Sequence, residues 1–295
     1  MVKIKILSET EEKIQILLSK TDRSLANALR RTLISDTPKM AIDSVRFQLG
    51  TKEQDEEIWE TTGPLPDEMV AQRLAMIPIP TIHDKFHFQD ECPNCKNLVD
   101  ADRGCLECQM IYTCVVFGTE EGRWVTAGDM KYLGEESLEI PDDYKAIPIT
   151  KLLKGQMIEF YATAIMGRGR DHTKWSPVCG VSFHPRRVGV LNNKKKAKIL
   201  WDMDLEISAK DFDKDGKLKD FDKVATLTNE LNHVGDGTEA ARDFGDAISL
   251  EEVSGEYILE FETDGSMDPR TAFEKAVEEL ASRFGSLEQD IASAI

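Results

Sequence analysis

The amino-acid sequence predicts an α+β fold, and three patterns in it support that class. Short segments near both ends alternate apolar and polar residues, which is typical of strands with one buried face. Two longer segments instead space their apolar residues three and four apart, as amphipathic helices do. Acidic or proline-containing stretches separate these segments and indicate loops. The expected protein therefore mixes strands and helices around a hydrophobic core.

The chain begins with two predicted strands. In residues 2–7 the apolar Val2, Ile4 and Ile6 alternate with Lys3, Lys5 and Leu7, and residues 14–18 continue the same two-residue period. Each strand would bury one face and expose the other. This opening lacks the continuous apolar core of a signal peptide, so we expect no secretory leader.

A helix is predicted from about residue 22 to residue 35, with Asp22 as its N-cap. Arg30 and Arg31 lie on its polar side, together with an asparagine. Pro38 opposes any continuation of the helix, and alternating apolar residues beyond it indicate a new strand. The apolar stripe of this helix consists of Leu25, Leu29, Thr32 and Leu33.

Shorter elements are predicted in the middle of the chain. Residues 50–66 are polar and acidic and predict a loop, and residues 67–76 predict a short helix that two prolines close. Cysteine-rich residues 84–110 are expected to form loops. The remaining predictions are strands at 112–117, 157–166 and 255–263, and a cysteine-free block at 185–247 that is rich in lysine and then in aspartate.

The chain closes with its most regular helix pattern. Asp268 can cap this helix, and Pro269 suits its first turn. The apolar residues of this helix form one stripe. It indicates either core packing against a sheet or a partner helix in a heteromeric interface, and periodicity alone does not separate these two interpretations. Its members are Phe273, Val277, Leu280, Phe284, Leu287 and Ile291.

Composition narrows the class of protein. The chain has 295 residues, of which 41% are hydrophobic, so it can bury a real core in two or three domains. Its net charge of −17 argues against an autonomous nucleic-acid binder, because neutralising phosphates requires a positive surface. No apolar run approaches the roughly 20 residues that span a bilayer. We therefore expect a soluble, cytoplasmic protein.

Four of the six cysteines are spaced as metal ligands. Cys92 and Cys95 form one CxxC pair, and Cys105 and Cys108 form a second after nine intervening residues. Four thiolates satisfy tetrahedral zinc and leave no open position, so such a site would be structural. An iron–sulfur cluster also accepts four cysteines, and four free surface thiols are the third alternative. Cys114 and Cys179 are expected to be small buried side chains.

An aspartate-rich segment weakly resembles a calcium loop. Asp211, Asp213, Asp215 and Asp222 fit ligand positions 1, 3, 5 and 12, and Gly216 fits position 6. An aspartate replaces the usual glutamate at the last position, and no clear helix precedes the loop. A solvated acidic turn is the favoured interpretation.

A second glycine-containing motif, Gly167-Arg-Gly-Arg170, suggests a phosphate-binding loop at first sight. It lacks the lysine and the glycine spacing of a P-loop. A flexible turn is therefore the favoured interpretation. No arrangement of nucleophile, base or paired carboxylates in the sequence indicates catalysis by this chain.

Several stretches together resemble the alpha-like subunits of multisubunit DNA-directed RNA polymerases. The resemblance is strongest to the archaeal counterparts of the third-largest subunit of eukaryotic RNA polymerase II. The stretches occur in the order found in that family and span nearly the whole chain, and the third is similar to a signature of the archaeal and eukaryotic branch. They are Asn27-Ala-Leu-Arg-Arg-Thr-Leu, the segment 67–79 that ends in Arg-Leu-Ala-Met-Ile-Pro-Ile, His172-Thr-Lys-Trp-Ser-Pro-Val, and Phe261-Glu-Thr-Asp-Gly-Ser-Met-Asp-Pro.

The resemblance implies three domains. A discontinuous dimerisation domain would consist of residues 1–45 and 250–295. An inserted, mostly-β domain at 46–183 would carry the cysteine loop, where the eukaryotic relative binds zinc. Residues 184–249 would form a ferredoxin-like additional domain, but they contain no cysteine, so we expect no iron–sulfur cluster there.

The resemblance also implies a non-catalytic assembly subunit. It would pair with the small alpha-like subunit L, join small subunits N and P, and support the two large catalytic subunits, without sequence-specific DNA contacts. A stand-alone zinc-ribbon protein of the transcription or translation apparatus is the alternative. The implied interface residues are Leu25, Leu29, Arg30, Arg31, Leu33, Phe273, Val277, Leu280 and Phe284, with the two arginines directed at the large subunits.

Overall fold

The structure, a computed structural model, describes residues 2–54, 56–135, 138–196, 207–233 and 247–294. Within these residues the chain is a mixed α/β protein built mostly of sheet, which agrees with the predicted mixture of strands and helices. None of the helices in the described ranges is both long and apolar enough to cross a membrane.

The helices and strands have well-defined bounds. The helices are α1 Arg23–Ser35, α2 Asp67–Ala75, α3 Phe221–His233 and α4 Pro269–Ala294. The strands are β1 Lys3–Glu9, β2 Lys13–Ser19, β3 Pro38–Phe47, β4 Thr51–Gln54, β5 Glu57–Glu60, β6 Gln109–Phe117, β7 Arg123–Thr126, β8 Lys131–Tyr132, β9 Pro148–Leu152, β10 Met157–Arg168, β11 Val178–Leu191, β12 Lys217–Leu218 and β13 Ile248–Thr263.

The strands form four sheets. A five-stranded sheet has the order β1-β2-β13-β11-β12, and a four-stranded sheet has the order β3-β10-β6-β8. Two further pairs, β4-β5 and β7-β9, form two-stranded sheets. By its internal contacts the chain divides into two compact units, one of residues 1–5, 16–26 and 183–259 and the other of residues 6–15, 27–182 and 260–295.

The larger unit is built on the four-stranded sheet. Strand β10 pairs antiparallel with β3 on one side and with β6 on the other, so that Phe160 lies opposite both Phe47 and Cys114. Successive side chains of a strand point to opposite faces, which places Phe160 and Ala162 in the core and leaves Tyr161 largely exposed. Buried side chains of α2 and of the segment after it belong to the same core.

Local chemistry explains where two helices begin. The Asp22 carboxylate accepts a hydrogen bond from the backbone N–H of Leu25 at 2.9 Å, which satisfies a free amide at the start of α1, as predicted. Helix α4 begins in the same way, because the Asp268 carboxylate accepts from the backbone N–H of Thr271 at 2.8 Å.

The prediction of a loop at residues 50–66 was wrong for part of that segment. Strands β4 and β5 form an antiparallel hairpin in which Thr51 lies opposite Glu60. Its side chains are mostly exposed, and the half-buried Trp59 packs edge-on against Phe117 with ring centroids 5.0 Å apart. Because nearly the whole hairpin faces water, its acidic sequence shows no apolar alternation by which a strand could be recognised.

The smaller unit has its own core. Strand β12 pairs antiparallel with β11, and helix α3 packs buried residues against the same cluster. The buried members of this core are Ile207, Leu218, Val224, Leu227, Ala247 and Ile248. Helix α3 and most of β11 are thus elements that were not predicted from the sequence. Residues 185–247 had been described only as a block rich in lysine and then in aspartate.

Arg186 is expected to contribute strongly to the stability of the smaller unit. Its guanidinium pairs with Glu256 at 2.6 Å and lies 4.7 Å from the centroid of the Phe221 ring, at the start of α3. The Arg186→Met substitution leaves the Glu256 carboxylate without its partner in a mostly buried site, so we expect the free energy of unfolding to fall by about 1–3 kcal/mol. Chemical denaturation and hydrogen exchange of the α3 amides measure the change.

The neighbouring arginine provides a matched control for this prediction. Arg187 is 41% exposed, and its nearest carboxylate oxygen, on the exposed Glu252, lies 3.8 Å away. Arg187→Met is expected to change the unfolding free energy by about 0.5 kcal/mol or less. Equal effects of the two substitutions would contradict the role assigned to Arg186.

Candidate metal centre and interface residues

The four predicted cysteines lie together in the structure. The Sγ atoms of Cys92, Cys95, Cys105 and Cys108 all lie within 4.8 Å of one another. Neighbouring sulfurs are 3.6 to 3.8 Å apart, and all four thiols are free. A tetrahedral ion with metal–sulfur bonds of about 2.3 Å would separate its ligands by about 3.8 Å. The arrangement could therefore hold a single metal ion.

Two similar turns place these sulfurs. The backbone N–H of Cys95 donates to the carbonyl of Cys92, and the N–H of Cys108 donates to the carbonyl of Cys105, each at 3.1 Å. In the second turn the N–H of Cys105 also donates to Sγ of Cys108 at 3.2 Å. Each CxxC pair thus folds back on itself so that its two sulfurs point to the same side. This local geometry is the reason that the CxxC spacing predicts the site.

Burial shapes the chemistry of the cluster. Cys92, Cys95 and Cys108 are buried, and Cys105 is partly exposed. Burial raises the pKa of the Cys108 thiol to about 12, so this thiol is neutral when no cation is near. A bound metal ion would stabilise the thiolate directly. The spacing also suits one ion better than a polynuclear cluster, whose irons and bridging sulfides would hold the four thiolates further apart.

The other two cysteines differ from one another. Cys114 is buried on β6, as expected, and burial raises the pKa of its thiol to about 12. Cys179 is exposed, so the expectation of a buried side chain was wrong there. It lies on β11 directly after the buried Val178, and this strand was not predicted from the sequence.

Lysines pair with two of the four aspartates in the aspartate-rich loop. Asp211 accepts a bond from Lys223 at 2.5 Å, which together with hydrogen bonds from Ser208 lowers the pKa of its carboxyl to about 2. Asp213 pairs with Lys219 at 2.6 Å, and Asp222 lies in the first turn of α3. In the described parts of the chain, the cysteine quartet is the one group of three or more ligand side chains whose atoms converge. These contacts favour the solvated acidic turn over a calcium loop, which stays an untested prediction.

The predicted interface residues of α1 fall into two groups. Leu29 and Leu33 are buried within this chain, and Leu25 is half-buried. Arg31 is exposed, whereas Arg30 is half-buried and donates from Nε to the side-chain oxygen of Asn27 at 3.1 Å. The two buried leucines are covered by side chains and backbone of this chain itself, and their place in a subunit interface stays a prediction.

The apolar stripe of α4 changes its environment along the helix. Phe273 is buried and Leu280 is half-buried, but Val277 and Phe284 are 37% and 61% exposed. Leu287 and Ile291, one and two turns further on, are also exposed. Large apolar side chains along nearly four turns of helix therefore face outward, which is unusual for a surface without a partner.

The side of α4 that packs inward was not predicted from the sequence. Ala272 and Ala276 are fully buried, and they lie about a quarter-turn away from the apolar stripe. Small residues four apart allow a helix to approach its neighbours closely, and this spacing was the available signal. Large apolar residues dominate the periodicity and concealed it.

The fold and these sites define a class of protein, a sheet-rich mixed α/β chain with four converging cysteines that could hold a metal ion and with an exposed apolar helix face. Residues 15–284 match the family model described as the RNA polymerase Rpb3/Rpb11 dimerisation domain. The chain therefore belongs to this family.

Individual relatives agree with the family match. The chain is 30% identical to DNA-directed RNA polymerase subunit Rpo3 of Picrophilus torridus, over 97% of the chain and 98% of that protein. It is 29% identical to subunit Rpo3 of Thermoplasma volcanium, over 98% and 99%. DNA-directed RNA polymerase II subunit rpb3 of Dictyostelium discoideum is 35% identical over 65% of the chain and 60% of that protein.

These matches confirm the resemblance to alpha-like subunits, and in particular to the archaeal counterparts of the third-largest eukaryotic subunit. They support a role as an assembly subunit of RNA polymerase, a nucleotidyltransferase complex.

Proposed function

We propose that this chain is a non-catalytic assembly subunit that forms a heterodimer with the small alpha-like polymerase subunit, L. In this proposal the heterodimer, joined by the small subunits N and P in the cytoplasm, is the platform on which the two large catalytic subunits assemble. The exposed apolar face of α4 carries the proposal. The family description, a dimerisation domain of Rpb3 and Rpb11, names the kind of contact that such a face would make.

Burial and charge indicate how the partner would bind. Val277, Phe284, Leu287 and Ile291 offer an apolar stripe that the chain itself leaves exposed. Interfaces concentrate their affinity in a few large apolar side chains at the centre of a patch, and Phe284 is the largest here. A partner helix with a matching apolar face would remove this stripe from water. The stripe therefore fits one small subunit better than it fits nucleic acid, which the net charge of −17 would repel.

The proposed domain organisation follows the resemblance. Residues 1–45 and 250–295 would form the dimerisation domain, and residues 46–183 would form the insert that carries the cysteine loop. Residues 184–249 would be a ferredoxin-like domain that holds no iron–sulfur cluster. The absence of cysteine from residues 184–249 supports the last part of this proposal, because an iron–sulfur cluster needs thiolate ligands.

The metal proposed for the cysteine quartet is structural zinc. A closed set of four thiolates leaves zinc no position for water or substrate, so the ion would hold the loop rather than catalyse. The single-ion spacing of the sulfurs supports zinc over a polynuclear cluster. Metal analysis that gives about one zinc per chain, without absorbance near 400 nm, is the expected result.

The polar side of α1 is proposed to face the large subunits. Arg31 is exposed at the middle of the helix, and Arg30 is held beside it by Asn27. Arginine forms bidentate contacts with carboxylates and is favoured at protein interfaces. The alternative, a stand-alone zinc-ribbon protein, would not explain why the apolar stripe of α4 is exposed. Family membership also favours the assembly subunit.

Partner binding tests the proposal directly. The unaltered chain is expected to bind purified subunit L, and Phe284→Ser is expected to weaken the dissociation constant at least about tenfold, because a large apolar anchor is lost. Calorimetry or interference optics measures the constant. Glu288→Gln, on the same helix but outside the stripe, is the matched control and should bind like the unaltered chain.

Two results would contradict the proposal. An unaltered chain that stays monomeric in the presence of subunit L would overturn the proposed heterodimer. Equal affinity of the Phe284→Ser variant and the unaltered chain would show that the stripe is not the interface.

A further inference from the structure

Four residues of α4 follow one another along the side of the helix that faces its own unit. Ala272, Ala276, Glu279 and Arg283 are spaced by four, three and four residues, which places them on one face. The first two are buried alanines that pack closely. The last two carry opposite charges, and each is bound to a residue outside the helix. Beyond Arg283 every described residue of α4 except Gly285 is exposed.

The first of these ion pairs joins α4 to the end of β10. Nη2 of Arg168 donates to both carboxylate oxygens of Glu279, at 3.0 and 3.2 Å. Both side chains are about four-fifths buried. The Arg168 guanidinium also lies 4.1 Å from the centroid of the Phe88 ring. A pair shielded and oriented in this way is screened less by salt than a surface pair.

The second ion pair joins α4 to the end of α1. Nη2 of Arg283 donates to Oδ1 of Asp36 at 2.5 Å, and Asp36 is only 7% exposed. Nη1 of Arg170 lies 3.8 Å from the same oxygen, and the backbone N–H of Arg170 donates to the carbonyl of Ser35 at 2.9 Å. The Asp36 carboxylate thus connects α1, α4 and the segment that follows β10.

Two glycines let the stretch Gly167–Arg170 approach its neighbours closely. A Cβ atom at Gly169 would lie 2.0 Å from the carbonyl oxygen of Ile34 in α1, and a Cβ atom at Gly167 would lie 2.4 Å from the Trp175 ring. Any other residue would therefore push the segment away from the end of α1 or from the ring. The motif that resembled a phosphate loop, Gly167-Arg-Gly-Arg170, has alternating glycines for close packing and arginines for ion pairs.

We propose that Gly167–Arg170 is a positioning element that sets the direction in which α4 leaves the body of the protein, and thereby presents the α4 stripe to the partner subunit. This inference rests on the proposed function and deepens it. A helix that ends in large exposed apolar residues could otherwise tilt and cover them with its own chain. Holding it in the bound direction beforehand lowers the entropy lost on association.

Arg168 and Glu279 provide the test, in the full chain with purified subunit L. Arg168→Gln and Glu279→Gln are each expected to weaken the dissociation constant about tenfold, and the double variant no further, because the two side chains act as one pair. The charge-swapped variant, Arg168→Glu with Glu279→Arg, should recover most of the affinity. Glu278→Gln is the matched control, since the ion pair of Glu278 with Lys275 lies within the helix itself, and its affinity should not change.

A second measurement isolates the positioning role. Hydrogen exchange of the α4 amides from residue 279 onward, in the chain without partner, should quicken in Arg168→Gln and Glu279→Gln but not in Phe284→Ser. Unchanged affinity and exchange in the two glutamine variants, with weakened binding by Phe284→Ser, would overturn this inference and leave the proposed function intact. Failure of the unaltered chain to bind subunit L would overturn both.

Discussion

Replacing Cys108 with serine is expected to abolish stoichiometric metal binding and to unfold the loop of residues 92–108. A serine hydroxyl is a poor ligand for a metal that prefers thiolates, and three cysteines leave the tetrahedral set open. The expected metal content falls from about one ion per chain to near zero, because the affinity of such sites is supplied jointly by all four ligands. Elemental analysis of the purified chain measures the content, and limited proteolysis reports the state of the loop.

The large effect expected for Cys108→Ser follows from the residues that are buried in this loop. Its buried apolar cluster consists of the cysteines alone, with Cys92, Cys95 and Cys108 buried and Cys105 packed against them. Leu106, by contrast, is 83% exposed. A loop without an aliphatic core of its own would depend on a bound metal ion for most of its folding free energy.

Cys179→Ser is the matched control for this substitution. This exposed thiol lies outside the quartet, so its replacement should leave both the metal content and the proteolysis pattern unchanged. Full metal content in the Cys108→Ser variant would contradict the assignment of the quartet as the metal centre.

The second large effect is expected at the buried ion pair of Lys39 and Asp264. The Lys39 side chain is only 4% exposed, and its Nζ donates to the carboxylate of Asp264 and, at 2.9 Å, to the carbonyl oxygen of Lys174. Asp264→Ala leaves this ammonium group buried with a single neutral acceptor. We expect the free energy of unfolding to fall by about 3 kcal/mol, since an unpaired buried charge is costly. Urea denaturation followed by circular dichroism measures it.

A double substitution separates the charge from the packing. Lys39→Met with Asp264→Ala removes the stranded charge, so this variant should be more stable than Asp264→Ala alone. The exposed pair of Lys154 and Glu120 is the control, and Glu120→Gln should change stability by about 0.5 kcal/mol or less. A double variant as unstable as the sum of its single changes would show that Lys39 and Asp264 do not act as a pair.

Several features could be predicted because they depend on neighbouring residues. Asp22 caps α1 at the predicted position, since an N-cap interacts with an amide only a few residues away. The cysteine spacing predicted converging sulfurs for the same reason, because each CxxC turn closes on itself. The hairpin of β4 and β5 was missed because its stability comes from backbone pairing and one aromatic contact rather than from an apolar pattern.

The sequence by itself determined which cysteines converge in the two CxxC turns, where α1 and α4 begin, and which side chains share the stripe of α4. These properties follow from local chemistry and from the period of the helix. Only the tertiary structure decided that Leu29 and Leu33 are buried in this chain while Val277 and Phe284 are exposed. It also decided that Gly167–Arg170 contacts both α1 and α4. The physical reason is that a period identifies a face of a helix, whereas the atoms that cover this face come from distant parts of the chain.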